Sequence, residues 1–319
     1  MKRVTIGDVA AHAGVSTATV SRVLNGGLVA ESTAAKVWEA TESLGYSPNA
    51  LTRSIFAGRS STIGVVVRDL SSPFYLDLIR GIDEVAAAAD SPVMLANTYR
   101  DADREAAQVR AMDQQRVRGL VITADETADD HARRMAENGT PCVIVARTAP
   151  GLHSVSLDDI AAGKLMAAHL AECGRSRVGV VSGRHRPTQV KRAEGLRQGL
   201  AEHGLRRPEE VLVTNEDEVD AAVGSLLQRN DTIVCTTGRL TVAVHTALTA
   251  RGLTMPDDIG FLTMDDFPWA SALGITVVAQ PSYEMGRRAA EIIVEEPPSP
   301  AQVVFEPTLI ARGSCGSAA

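Results

Sequence analysis

The sequence lacks the apolar stretches that membrane and secreted proteins need. No uninterrupted apolar run approaches the length of about 18 residues that a transmembrane helix requires. The opening MKRVTIGDVA also lacks the apolar core of a signal peptide. These two absences predict a cytoplasmic protein.

Cysteine and histidine are too scattered to indicate a metal site or a disulfide framework. The four cysteines form no metal-type pair, and free, buried thiols are expected for Cys142, Cys173, Cys235 and Cys315. The seven histidines stand singly and are expected at the surface. No metal and no other cofactor is therefore predicted.

The common catalytic motifs are missing as well. The sequence contains no H-E-x-x-H, no G-x-S-x-G and no phosphate-binding G-x-x-x-x-G-K-[ST]. The segment AAGKL at 161–165 lacks both the first glycine and the hydroxyl residue of a phosphate loop. The sequence therefore does not predict an enzyme.

Charge is distributed unevenly along the chain. Residues 1–60 carry six Lys or Arg against four Asp or Glu, a net charge of +2, and the formal net charge of −7 leaves −9 for the remainder. A positive head on an acidic body is typical of a nucleic-acid-binding module attached to a domain that avoids nucleic acid.

Residues 5–25, TIGDVAAHAGVSTATVSRVLN, predict two short helices joined by a turn. Thr5 and Asp8 have the spacing of a capping box, and Gly14 permits the sharp turn. Ser16 can cap the second helix. One apolar stripe of the first helix is formed by Ile6, Val9, Ala10 and Ala13.

The second helix of this pair has two faces of different chemistry. Its inner face holds Val20, Val23 and Leu24, and its outer face holds Thr17, Ala18, Ser21 and Arg22. Short outer side chains let a helix lie deep in the major groove, and Arg22 can donate to a guanine edge. An ordinary helical hairpin is the alternative interpretation.

The remaining chain predicts one more head helix and then an α/β body. The third helix is expected from Ser32 to Leu44, with Gly45 ending it, and a short helix or a linker follows from Asn49 to near Gly58. From Thr62, apolar runs alternate with amphipathic helical stretches. The expected strands are TIGVVV, PVMLAN, GLVIT, PCVIVA, RVGVVS, EVLVT, DTIVC and IGFLT.

Near-continuous apolar strands between helices indicate parallel sheets covered on both faces. Eight such strands fit two sheets better than one. Two doubly wound lobes, with a break near 158–163, are therefore expected.

Several motifs resemble the lac repressor/galactose repressor family of transcription regulators. The motifs are the helix pair itself, LGYSPNALTRSIFAGRSSTIGVVV, VSLDDIAAG, CGRSRVGVVSG, MPDDIGFLTMDD and LIARGS, which together cover nearly the whole chain. The resemblance implies an all-α helix-turn-helix head plus an α/β periplasmic-binding-protein-like core of two doubly wound parallel-sheet lobes. The implied domains are a head over 1–47, a hinge helix and linker over 48–60, and a core over 61–319. Within the core, lobe N covers about 61–159 and 282–303, and lobe C covers about 160–281 and 304–319.

The resemblance also implies which residues meet DNA. In the family, a hinge helix forms on the operator and an apolar residue from each subunit enters the minor groove at the operator centre. Here Ile55 and Thr52 stand where leucine and alanine are usual, and a passive tether is the alternative for this segment. The DNA-binding candidates are Thr5, Ser16, Thr17, Ala18, Thr19, Ser21, Arg22, Asn25, Tyr46, Asn49, Thr52, Arg53 and Ile55.

Polar and aromatic residues follow the expected strands at the edge where ligands bind in open parallel sheets. Carboxylates accept sugar hydroxyls, guanidinium groups donate in a fork, and aromatic faces cover sugar rings. Considered singly, Asp265 could cap a helix, Arg147 could be a solvated charge, Arg192 could pair with an acid and Phe74 could be a core residue. The effector-binding candidates are Asp69, Ser72, Phe74, Arg147, Arg186, Thr188, Arg192, Thr237, Asp265, Trp269 and Gln280.

Four positions of the expected pocket depart from the family pattern. Thr237 and Gly238 replace Asn-Asp, Ala146 replaces an acid before Arg147, and Thr263 replaces a glycine. The effector of a relative therefore does not transfer to this chain.

The combined features predict a homodimeric repressor that binds a palindromic operator and responds to a sugar or sugar derivative. The expectation of a dimer follows from the two-fold symmetry that such heads use on DNA. A transporter's solute-binding protein and a sugar-modifying enzyme with a regulatory head are the rival interpretations.

Overall fold

A computed structural model describes residues 4–24, 27–46, 59–123, 126–183 and 187–316. Candidates Asn25, Asn49, Thr52, Arg53, Ile55 and Arg186, and the expected hinge helix, lie outside these ranges. No helix of the described residues is both long and apolar enough to cross a membrane.

The head consists of three helices around a small apolar centre. They are α1 (Ile6–Ala13), α2 (Thr17–Leu24) and α3 (Glu31–Ser43). Val9, Val20 and Val37, one from each helix, are completely buried together. The helix pair and the third helix are as predicted, with α3 beginning and ending one residue earlier.

The two short helices begin and end where the sequence predicted. Thr5 and Asp8 form the capping box: the Thr5 amide and hydroxyl both donate to Asp8 Oδ2 at 2.7 Å. Gly14 has a φ of +66°, a conformation that glycine adopts without strain, and it turns the chain. The amide of Thr19 donates to Ser16 Oγ at 3.1 Å, which caps α2.

The first lobe is built on a six-stranded sheet whose paired strands all run parallel. In spatial order the strands are β11 (Gln302–Phe305), β5 (His153–Leu157), β4 (Cys142–Val145), β3 (Gly119–Ile122), β1 (Ile63–Val67) and β2 (Val93–Asn97). Its helices are α4 (Pro73–Ala88), α5 (Ala102–Gln114), α6 (Asp129–Glu137) and α12 (Ser282–Glu295). Two apolar clusters of buried residues cover the sheet's two faces.

The second lobe repeats this plan with a second six-stranded sheet. In spatial order the strands are β12 (Thr308–Ile310), β10 (Thr276–Ala279), β9 (Gly260–Met264), β8 (Thr232–Cys235), β6 (Val178–Gly183) and β7 (Glu209–Val213). Its helices are α7 (Asp159–Glu172), α8 (Pro187–Glu202), α9 (Val219–Leu226), α10 (Thr241–Thr249) and α11 (Pro268–Ala272).

The chain passes between the two sheets three times. It crosses after β5 at Asp158, returns between β10 and α12, and crosses again between β11 and β12. The predicted fold class is confirmed, but β12 pairs antiparallel to β10 at the sheet's edge, so the second sheet is not wholly parallel as expected. The strands β5, β10, β11 and β12 were not among those predicted.

Candidate functional site: the cavity between the lobes

The carboxyl ends of the parallel strands from both sheets open onto one cavity. It holds about 200 Å³ and is lined by side chains from both lobes. The lining residues are Arg68, Ser72, Phe74, Tyr75, Arg100, Ala146, Gly183, Thr188, Gln189, Arg192, Val213, Thr214, Thr237, Arg239, Asp265 and Gln280. This is the place where open parallel sheets bind ligands.

Arg192 on α8 is the most deeply held cation of the cavity. Its Nε donates to Asp159 Oδ1 at 2.8 Å, and its Nη1 donates to the carbonyl of Thr236 at 3.0 Å. The side chains of Arg192 and Asp159 are only 7% and 6% exposed. Burial raises the pKa of Asp159 even though the charge of Arg192 acts in the opposite direction. The pair therefore fixes the guanidinium before any ligand arrives.

Hydrogen bonds extend from this pair to the neighbouring strand ends. Thr236 Oγ1 lies 2.8 Å from Ser182 Oγ and 3.2 Å from Gln189 Oε1. Gln189 Oε1 also accepts from the amide of Gly183 at 2.5 Å. These contacts join β6, β8 and the start of α8 into one buried polar network, which supports the cavity floor.

Two glycines allow the helices α7 and α8 to approach closely enough to form the pair. A Cβ at Gly163 would lie 2.0 Å from the carbonyl oxygen of Arg192, and one at Gly195 would lie 2.1 Å from that of Ile160. Any side chain at either position would separate the helices. The close approach places Asp159, at the start of α7, beside Arg192.

Asp265 sits at the carboxyl end of β9 in an unusual backbone conformation. Its φ is +70°, which is uncommon for a residue other than glycine and is concentrated at functional sites. Its Oδ2 accepts from the amide of Gly238 at 3.0 Å, and its Oδ1 accepts from Gln280 Nε2 at 2.5 Å. These two contacts hold the carboxylate, 7% exposed as a residue, against the cavity wall.

Gly238 makes the position of Asp265 possible. A Cβ at Gly238 would lie 2.7 Å from Asp265 Cβ, from Asp265 Oδ2 and from the carbonyl of Met264. The glycine that departs from the family pattern is therefore required by this carboxylate. Thr263, another departure, is fully buried and lies 2.8 Å from Thr241 between the hydroxyl oxygens, so it ties β9 to α10.

The first lobe contributes arginines and aromatic rings to the opposite wall. Phe74 and Tyr75 begin α4 and meet edge to face, with ring centroids 5.1 Å apart. Arg68 follows β1, and Arg100 follows β2 with a φ of +65°. The amide of Arg100 donates to the carbonyl of Arg68 at 3.0 Å, which brings the two strand ends together.

Asp69 is not part of the lining but supports this wall from behind. It forms an ion pair with Arg100, and its Oδ1 accepts from the amide and the hydroxyl of Ser71 at 3.0 and 2.7 Å. Burial alone would raise the pKa of Asp69, but the Ser71 hydrogen bonds and the charge of Arg100 outweigh it, so the pKa is lowered. Asp69, predicted to bind effector, therefore positions Arg100 and lies outside the lining.

Arg147 and Trp269, also predicted to bind effector, lie outside the lining as well. Arg147 donates from Nη1 and Nη2 to Asp129 at 2.9 and 2.5 Å, a bidentate pair that turns it toward α6. Its neighbour Ala146 lines the cavity instead. Trp269 lies on α11 with its ring edge-on to Phe267, the centroids 5.1 Å apart, and it is outside the lining.

Seven of the eleven effector candidates do line the cavity. They are Ser72, Phe74, Thr188, Arg192, Thr237, Asp265 and Gln280. The sequence analysis did not identify Arg68, Tyr75, Arg100, Gln189 and Arg239 as lining residues. Of these, Arg68 carried a signal, because it is a charged residue directly after a strand. Arg239 lies in the 3-10 turn Gly238–Leu240 after β8.

The outer face of the head displays the predicted DNA-reading side chains. Ser16, Thr17, Ala18 and Arg22 are exposed, Thr19 and Ser21 are half-buried, and Thr5 is exposed at the start of α1. Tyr46 is half-buried against the head's apolar centre. A Cβ at Gly27 would lie 2.6 Å from Arg22 Cγ, so the glycine leaves room for the arginine.

The four cysteines are free thiols, and three of them are buried. Cys142, Cys235 and Cys315 are buried as expected, whereas Cys173 is half-buried, and all four are free. Burial raises the pKa of the Cys142 thiol and of the Cys315 thiol to about 12. Within the ranges that the structure covers, no group of His, Cys, Asp and Glu side chains could hold a metal ion.

A helix-turn-helix head joined to a two-lobed core with a polar cavity between the lobes defines a ligand-responsive DNA-binding regulator. Two family models match the chain accordingly. Residues 5–49 match the bacterial regulatory proteins of the lacI family, and residues 60–305 match the periplasmic binding proteins and sugar-binding domain of the LacI family. The chain belongs to the lacI family of transcription regulators.

Relatives and solved structures agree with this assignment. The chain is 30% identical to catabolite control protein A of Priestia megaterium over 92% of each chain. It is also 30% identical to the ribose operon repressor of Escherichia coli strain K12, over 97% of this chain and 99% of that one. These matches are transcription regulators, as the family resemblance predicted.

Two solved structures show the same fold over nearly the full length. A complex of the transcriptional regulator CelR with cellobiose is 27% identical, with a TM-score of 0.71, and covers 98% of this chain and 100% of its own. The lac repressor dimer bound to operator and an anti-inducer is 21% identical, with a TM-score of 0.86, and covers 99% and 100%.

Proposed function

We propose that this regulator is a cytoplasmic homodimeric repressor that binds a palindromic operator and releases or tightens its hold when a sugar or sugar derivative enters the inter-lobe cavity. The division into a head over 1–47, a hinge over 48–60 and a two-lobed core over 61–319 belongs to this proposal. The observation that carries it is the pairing of an exposed Arg22 face with a cavity that holds Arg192 and Asp265 in fixed positions.

The head reads DNA through the outer face of α2. Short side chains at Thr17 and Ala18 let the helix approach the major groove, and the exposed Arg22 donates to a guanine edge. Ser16, Thr19 and Ser21 supply hydroxyls near the phosphates. The relatives' names support this role, because repressors and operator complexes are among them.

The test of the DNA-reading role is Arg22→Ala compared with Lys36→Ala, an exposed cation on α3. Arg22→Ala should cost about 1–3 kcal/mol on the specific site and little on random DNA. Lys36→Ala should change binding to the two DNAs by the same factor. Equal losses for Arg22→Ala on both DNAs, measured by fluorescence anisotropy, would reduce Arg22 to a phosphate contact.

The cavity binds a polyhydroxylated effector. The carboxylate of Asp265 accepts hydroxyls, the guanidinium of Arg192 donates, and the ring of Phe74 covers an apolar sugar face. Melting-temperature shifts across sugars, sugar phosphates and nucleosides identify the ligand, because a ligand that binds only the folded chain raises its stability. Asp265→Asn should abolish the shift, and a full shift in that variant would remove Asp265 from the site.

The proposal also includes a hinge, whose residues lie outside the described ranges. Residues 49–57 fold on the operator, and Ile55 enters the minor groove at a central CG step, where an apolar wedge unstacks the bases and bends the duplex. Asn25, Asn49, Thr52 and Arg53 are further DNA contacts in this proposal. Ile55→Ala should lower both affinity and bend angle, and no change in either would make the segment a passive tether.

A further inference from the structure

The cavity is rich in arginine and poor in carboxylate. Arg68, Arg100, Arg192 and Arg239 line it, and Asp265 is the only acid among the described residues that line it. A neutral sugar offers hydroxyls that both donate and accept, so four guanidinium groups, which only donate, exceed what such a ligand needs.

The guanidinium of Arg192 and the carboxylate of Asp265 already have fixed partners in the second lobe. Arg192 is held by Asp159 and the Thr236 carbonyl, and Asp265 by Gly238 and Gln280. The charge that a ligand can meet therefore depends on the other three arginines of the lining.

These three arginines come from both sides of the cleft. Arg68 and Arg100 follow the adjacent strands β1 and β2 of the first lobe, and Arg239 follows β8 of the second. Burial first, and the positive charge of Arg100 second, lower the pKa of Arg239. Arg100 and Arg239 line the same cavity from opposite lobes, and the charge of Arg100 disfavours the charged form of Arg239.

The carboxylates that accompany Arg100 and Arg239 stand behind these two arginines. Asp69 pairs with Arg100 and Glu216 accepts from Arg239 Nη1 at 3.1 Å, but neither acid lines the cavity. Each pair engages one guanidinium nitrogen, whereas a guanidinium carries five N–H donors. Donors that point into the cavity are therefore available for a ligand.

We propose that the effector carries an anionic group, a phosphate or a carboxylate, which binds between Arg100 and Arg239 beside Arg68 and so ties the two lobes together. This inference rests on the proposed role of the cavity as the effector site and specifies the class of effector. Arginine recognises both oxyanions through parallel N–H donors. An anion at this point also removes the repulsion between the lobes, which favours their closure.

Inorganic phosphate is the first probe, used on the full chain at constant ionic strength with chloride as the reference salt. Phosphate should raise the melting temperature of the wild type, and Arg100→Gln or Arg239→Gln should remove most of that shift. Arg80→Gln is the matched control, because Arg80 is a first-lobe arginine with a 73% exposed side chain outside the cavity. An equal phosphate shift in the wild type and both cavity variants would overturn the proposal.

Matched ligand pairs are the second probe and separate the two sources of charge. Glucose is compared with glucose 6-phosphate and with gluconate, and ribose with ribose 5-phosphate, by calorimetric titration. The charged member of the effective pair should bind at least tenfold more tightly, and each Arg→Gln change should lower that ratio roughly tenfold, as expected for a charged hydrogen bond. The phosphate and carboxylate arms show which group is bound.

The same titrations distinguish this inference from the proposed function. If a neutral sugar binds as tightly as its charged counterpart and Asp265→Asn abolishes that binding, the effector site stands and the anionic inference fails. If the charged ligand binds with the expected preference but Asp265→Asn has no effect, the anion site stands and the assignment of Asp265 fails.

Discussion

Each lobe presents an arginine to the cavity beside an aspartate, but the two pairs lie in different environments. In the second lobe the side chains of Arg192 and Asp159 are 7% and 6% exposed, and Arg192 has a backbone carbonyl as a further acceptor. In the first lobe the side chains of Arg100 and Asp69 are 30% and 19% exposed. Solvent screens the pair of Arg100 and Asp69 in the first lobe, whereas the pair of Arg192 and Asp159 in the second lobe is surrounded by protein.

The difference indicates a division of labour within the cavity. The second lobe holds its polar groups in place before a ligand arrives, which lowers the entropy that binding must overcome. The first lobe presents more exposed side chains that can adjust when the cleft closes. The comparison predicts that equivalent changes in the two lobes will affect stability and ligand binding by different amounts.

The largest expected effect is that of Arg192→Ala on the stability of the second lobe. Removing one partner of a buried pair leaves Asp159 charged and unpaired, which costs about 3–5 kcal/mol. Chemical denaturation of the variant should show this loss. Arg197→Ala, on the same helix but in partly exposed pairs with Glu194 and Glu210, should cost much less, because solvent screens these pairs.

The stability that Arg192→Ala loses should increase as pH rises. Burial already raises the pKa of Asp159, and loss of the arginine raises it further. The folded state then holds a proton that the unfolded state releases, so the variant gains relative stability below the ordinary pKa of 3.8 and loses it as pH rises through the raised value. A cost of Arg192→Ala that grows toward acid pH would contradict this.

Gly238→Ala has the next largest expected effect. The added methyl would lie 2.7 Å from Asp265 and from a backbone carbonyl, so Asp265 must move. Overpacking of this kind lowers the free energy of unfolding by about 1–3 kcal/mol. The loss in the free energy of effector binding should be larger than this, because Asp265 is displaced. Gly224→Ala is the control in the same lobe, since its methyl would meet only the end of the Arg251 side chain at 3.2 Å.

The smallest expected effect on stability is that of Arg100→Gln in the first lobe. The pair with Asp69 is partly exposed, so its removal should cost about 1 kcal/mol or less. A loss as large as that of Arg192→Ala would show that the two lobes hold their arginines equally firmly. The comparison drawn from burial would then be wrong.

Local sequence patterns were sufficient for the head and for most of the core. The capping box of Thr5 and Asp8, the turn at Gly14 and eight apolar strands all depend on neighbours along the chain. The strands β5 and β12 were missed because HSVSL alternates with serine and TLI is very short. Ser154 and Ser156 are buried by sheet pairing, which a local pattern does not contain.

The site was predictable where a residue follows its strand directly and hard to predict elsewhere. Asp265 comes immediately after β9, but the inward position of Arg100 depends on the left-handed backbone at Tyr99 and Arg100. Arg147 also follows a strand, yet its bidentate pair with Asp129 removes it from the lining. The direction of such a side chain depends on partners that are distant in sequence, and the residues next to a strand end do not reveal these partners.

The central claim is that a ligand in the inter-lobe cavity controls the affinity of the head for DNA. The most direct measurement is operator affinity with and without the identified effector, for the wild type and for Asp265→Asn. The account predicts that the effector changes the affinity of the wild type, and that the variant binds the operator normally but does not respond. A variant that responds to the effector as the wild type does would contradict the account.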